Sequence, residues 1–178
     1  MTQFQSGSIH VSPLIGYIIT IGCAIPCAVI FRESQGGEAP LWPVFYIFSS
    51  GILLGAYTIF WWRKKPVIKV SEGQMELFIP YLFYSQKICT IPLGKIKDFN
   101  IKTYWIEDGG GFGPSTYLSL VLQEGFEFGG DTWRYFEKTH PKHPHYGQED
   151  TVYFNVNYVE GGAKKAEEKL QRITGIGV

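Results

Sequence analysis

Two long stretches without a formal charge dominate the chain, Val11 to Phe31 and Leu41 to Trp62, and a shorter, strand-like alternation takes over after Pro66. The second stretch, LWPVFYIFSSGILLGAYTIFWW, exceeds the roughly 20 residues a helix needs to cross about 30 Å of hydrocarbon. It closes on Trp61 and Trp62, whose rings suit the headgroup layer. Arg63, Lys64 and Lys65 follow, a basic cluster of the kind retained on the cytoplasmic side. The first stretch contains Gly16, Gly22 and Pro26, which membrane helices tolerate, and Pro26 is expected to kink it near its end. No Lys or Arg precedes it, so it lacks the basic start of a signal peptide. The pattern predicts a two-span anchor over residues 1–65, with spans at about 11–31 and 41–62. Met1 to His10, polar and uncharged, is expected to be frayed.

The connection Arg32 to Pro40 (RESQGGEAP) is short, polar and glycine-rich, as a loop between antiparallel helices should be. It sets Arg32 against Glu33 and Glu38, whereas the far end of the second span carries three basic residues in a row. The charge bias places this loop outside and both termini in the cytoplasm, making a multi-pass protein of the cytoplasmic (inner) membrane. Gly51 and Gly55 form a GxxxG pair beside Ser49 and Ser50. Small residues at this spacing let backbones approach closely, either against the first span or against a second copy in a homo-oligomer.

Beyond Pro66, residues 66–178 form a second region. Val67 to Val70 is β-branched, Ser71-Glu72-Gly73 reads as a turn, and Met75 to Ile79 and Lys87 to Ile91 read as further strands. From Ile96 to Trp105, the residues Phe99, Ile101, Thr103 and Trp105 alternate with Asp98, Asn100, Lys102 and Tyr104. Thr116 to Gln123, Phe126 to Phe128 and Val152 to Tyr158 continue the series. Short strands at this spacing predict a small antiparallel barrel or sandwich. Only the tail is helical in pattern, with Ala163, Ala166, Leu170 and Ile173 on one face and Gly175 as the stop. The expected fold class is therefore a membrane α-helical hairpin plus a mainly-β barrel of pleckstrin-homology (PH)-like arrangement, closed by one C-terminal helix.

Charge and composition narrow the functional classes. The formal net charge of the 178 residues is zero, which argues against wholesale nucleic-acid binding. Lysines nonetheless gather between Arg63 and Lys102, and the stretch that follows, as far as Glu160, is acidic. That polarity suits a domain resting near anionic lipid, as well as an ordinary solvated surface. The three cysteines, Cys23, Cys27 and Cys89, form no disulfide framework and read as small packing residues in a reducing compartment.

The basic cluster after the second span, the VIKVSEGQMELFI start, the IPLGKIKDFNI segment (Ile91 to Ile101) and the closing helix together resemble bacterial membrane proteins that carry a PH-like domain behind a two-helix anchor. The resemblance implies a non-enzymatic, anchored interaction domain with no catalytic residues and no cofactor. Its partners would be membrane lipids and another membrane or cytoplasmic protein.

Four constellations were weighed for chemistry. His140, His143 and His145 lie close enough to bind zinc or copper if Glu149 or Asp150 supplied a further ligand, although Pro141 and Pro144 favour an extended, solvated loop. The run Asp108 to Pro114 is glycine-rich but lacks the GK[ST] that opens a helix in a phosphate-binding loop. No GxSxG nucleophile elbow is present to support a hydrolase. Pro80-Tyr81-Leu82-Phe83-Tyr84 is the fourth, an apolar turn where polar residues are the rule. It is either core or a contact for the membrane or a partner. The preceding hairpin holds Lys69 with Glu72 and Glu76, a charge balance ill-suited to specific phosphoinositide recognition. The expected function is an anchored scaffold, assembly or regulatory subunit. The alternatives are an immunity or regulatory protein against a membrane-acting toxin, and a metal-dependent enzyme built on the histidine loop.

Overall fold

The fold was analysed in a computed structural model, which describes residues 6–35, 42–81, 83–108, 111–126, 128–129, 132, 151–157 and 159–176. The chain divides into two compact units, Ser12–Lys65 and a discontinuous unit made of Met1–Val11 with Pro66–Val178. The histidine loop lies outside the described residues, as does Leu82.

The first unit is a pair of helices, α1 (Leu14–Gln35) and α2 (Trp42–Phe60). Helix α1 starts later than its apolar run, because Ser12 accepts a hydrogen bond from the Leu14 amide at 3.3 Å and Pro13 supplies a pre-set φ at the entry. It continues through Pro26 to Gln35. The helices run antiparallel and meet along their small residues. A Cβ at Gly55 would strike Thr20 and stand 2.9 Å from the Gly16 carbonyl, and one at Gly51 would strike Cys23. At the far end of the same seam, Cys27 Sγ lies 3.6 Å from Ser49 Oγ. The GxxxG face is thus filled by α1 of the same chain. Gly16, Gly55 and Thr58 are buried, whereas Leu14, Ile18, Ile21, Ile25, Ile47, Leu53 and Phe60 are exposed. Small residues thus fill the seam between the helices and large apolar side chains lie outside it. Both helices are long and apolar enough to cross a membrane.

Among the described residues, the second unit has seven strands in two antiparallel sheets and one helix. Strands β1 (Gly7–His10), β2 (Pro66–Ser71), β3 (Gln74–Pro80) and β4 (Ser85–Pro92) form one sheet in the order β1-β2-β3-β4. Strands β5 (Ile96–Asp108), β6 (Gly111–Leu122) and β7 (Thr151–Asn155) form the other in sequence order. Helix α3 (Gly162–Thr174) follows. Among the described residues no ladder joins the two sheets edge to edge, so the expected closed barrel is replaced by two separate sheets. The β2–β3 turn is Glu72-Gly73, with φ of 52° and 73°, the double left-handed geometry of a two-residue hairpin whose twist matches its strands.

The core is assembled from the alternating faces of both sheets. Ile68, Val70, Met75, Leu77 and Ile91 from the first meet the requirement of period two, as do Phe99, Ile101, Leu118, Leu120, Val152 and Phe154 from the second. Helix α3 adds Ala166, Leu170 and Ile173, the face expected from its spacing. Gly175, at φ 67°, ends the helix by donating its amide to the Gln171 carbonyl at 2.7 Å.

Three expectations are corrected. The N-terminus is not frayed throughout, because Gly7–His10 is strand β1, paired with β2 from Gly7↔Val70 to His10↔Pro66. Ile9 is buried, Val11 bridges Val159, and the Glu160 amide donates to the His10 carbonyl at 2.9 Å. A four-residue strand with one apolar inward residue leaves almost no periodic signal, and only the waiting edge of β2 gives it order. Val11 accordingly belongs to this unit and not to the first helix. Phe126 is not in a strand but in a turn, its amide donating to the Gln123 carbonyl at 3.1 Å. Trp105 is 65% exposed in place of continuing the inward series of Phe99 and Ile101, since β5 outruns the core there.

Candidate functional site

The apolar turn sits at the tip of the β3–β4 hairpin. Pro80 pairs with Ser85, which places Tyr81, Phe83 and Tyr84 in the connection between the two strands. Phe83 is 79% exposed, Tyr84 59% and Tyr81 40%. The rings of Tyr81 and Tyr84 stack at 4.7 Å between centroids with 24° between planes, so with Phe83 they form an aromatic knob. Leaving such rings in water forgoes about 1.5–3 kcal/mol per side chain.

The electrostatics around this knob differ from a uniform basic rim. Lys69 and Lys87 both reach Glu76, at 3.7 Å and 3.2 Å, so one carboxylate holds two ammonium groups on the solvent face of the sheet. Lys87, opposite Phe78, is the lysine nearest the loop. Lys95 and Lys97 follow Pro92, whose partner Gln74 lies at the opposite end of β3, so they are remote from Phe83. In the other unit, Arg63, Lys64 and Lys65 are carried by a 3-10 turn over Trp62–Lys64 and the residue after it. Trp61 is exposed and stacks on Tyr57 at 6.2 Å with 7° between planes.

A second concave surface lies between β5 and α3. This open groove of about 450 Å³ is lined by Ile101, Thr103, Tyr104, Glu167 and Gln171 among others. Glu167 Oε2 accepts the Ile101 amide at 3.0 Å, tying the helix to the edge of the sheet. Among the described residues no group of three or more His, Cys, Asp or Glu is gathered that could hold a metal ion.

One cluster escaped the sequence reading. Tyr117 and Tyr153 are buried on the sheet face opposite the core, with Tyr104 against them, edge-on to Tyr117 at 6.3 Å. Burial raises the Tyr153 hydroxyl above the ordinary tyrosine range, and the neighbouring Tyr104 adds to the shift. The available signal was the run of tyrosines at positions otherwise taken as the polar face of β5, β6 and β7.

Comparison with protein-family models, curated proteins and solved structures returns no match. The functional reading therefore rests on the chain's own geometry.

Proposed function

We propose that this chain is a membrane-anchored, non-enzymatic interaction module, in which a two-span hairpin holds a PH-like domain at the cytoplasmic face of the inner membrane. The observation that carries the reading is the aromatic knob of Tyr81, Phe83 and Tyr84, three rings exposed together at one hairpin turn. A contact surface for the membrane or a protein partner explains why such residues stand at a turn. Two further features support the arrangement. Among the described residues, a four-stranded sheet, a three-stranded sheet and a C-terminal helix are compatible with a PH-like arrangement. The hairpin is inserted in the sequence between β1 and β2, which pair with each other, so a hairpin that spans must return to the side it left. Arg63, Lys64 and Lys65 against the lone Arg32 select the cytoplasm as that side.

The test is the double variant Phe83→Ser, Tyr84→Ser in the full chain. Exposed substitutions shift stability by only about ±0.5 kcal/mol. The expected result is an unchanged melting temperature with loss of a co-purifying protein or of lipid contacts made by the hairpin turn in native membranes. A melting temperature that collapses with no separable binding defect contradicts the reading.

A further inference from the structure

The strand register says which surface the aromatic knob meets. We infer that it seats in the headgroup layer of the same membrane that the chain's own helices cross. This inference rests on reading the knob as a contact surface and goes on to name what it contacts.

The argument is one of sheet ends. In the ladder β1-β2-β3-β4, the last residue of β1, His10, pairs with Pro66, the first residue of β2. Ile68 pairs with Leu77, so Pro66 falls at the level of Ile79, one residue before the end of β3. Pro80 pairs with Ser85, the first residue of β4. His10, Pro66, Pro80 and Ser85 therefore stand at one end of the sheet, and the Glu72-Gly73 turn and Pro92 stand at the other. The chain leaves this sheet for α1, and returns to it from α2, at the end that carries the knob. Only two strand spacings, about 10 Å, separate β2 from β4. Lys65 is bonded to Pro66, so the basic cluster joins the sheet at the same end.

The chemistry agrees with the position. Phe83 offers an apolar ring, and Tyr81 and Tyr84 offer rings with a polar tip, the combination that settles at a membrane–water boundary. Trp61, Trp62, Arg63, Lys64 and Lys65 offer the same mixture of aromatic and basic groups within five residues of Pro66. An interfacial second foothold of this kind restrains the domain against the bilayer.

The test places p-benzoylphenylalanine at Phe83 of the full chain and, as a control, at the exposed Gln74 on the opposite end of the sheet. The protein is illuminated in native membranes and in nanodiscs of phosphatidylethanolamine with phosphatidylglycerol. Lipid adducts at position 83 several-fold above those at position 74, in both settings, are expected. Protein adducts at 83 without lipid adducts would overturn the lipid assignment while leaving the interaction module intact. Absence of both lipid and protein adducts at 83 would overturn both. Circular dichroism and melting of each variant establish that the domain is folded when illuminated.

Discussion

At the scale of single residues, the most consequential buried polar group is the Cys89 thiol. It lies in β4 opposite Leu77, 8% exposed, and burial pushes its pKa up to about 12 from an ordinary value near 9. The raised value means that the folded state keeps the thiol protonated where the unfolded chain would ionise it. Its contribution to stability is thus complete below about pH 9 and lost as pH rises toward 12. The full chain in detergent should show a melting temperature that falls between pH 9 and 11, and Cys89→Ala should flatten that fall. An unchanged slope in the variant would remove the thiol from the explanation. The same burial predicts that Cys89 resists alkylation at neutral pH until the protein is denatured. Sequence alone identified Cys89 as a packing residue because it sits among β-branched neighbours. The knob is different: its composition was legible, but whether Phe83 faced water or core depended on the register of β3 and β4, which no local pattern fixes.

At the scale of elements, strong periodicity carried through and weak periodicity did not. The two apolar runs became helices within a few residues of their expected limits, and the face of α3 was set by Ala166, Leu170 and Ile173. Strand β1 was invisible because its order comes from partners distant in sequence, Pro66 to Val70 on one side and Val159 on the other. The tyrosine face of the second sheet was missed for a related reason, since alternation was read with one face polar when both are covered. The importance of β1 is measurable. Ile9 is 2% exposed, and Ile9→Ala should cost about 2–4 kcal/mol in the full chain, followed by chemical denaturation. A loss below about 0.5 kcal/mol, typical of an exposed site, would return these residues to a frayed lead.

At the scale of the whole molecule, the central claim is that one domain is closed by residues from both sides of an inserted membrane hairpin. The pairing of β1 with β2 demands that residues before α1 and after α2 share a compartment, and the compartment proposed from the basic cluster after α2 is the cytoplasm. The measurement that tests this most directly is labelling of single cysteines at Ser6, Ser34 and Gln171 in intact cells with a membrane-impermeant thiol reagent, after Cys23, Cys27 and Cys89 are changed to Ala. The account predicts that Ser34→Cys reacts in intact cells, and that Ser6→Cys and Gln171→Cys react only after permeabilisation. Reaction of either of the latter two in intact cells, or opposite behaviour of that pair, would contradict it.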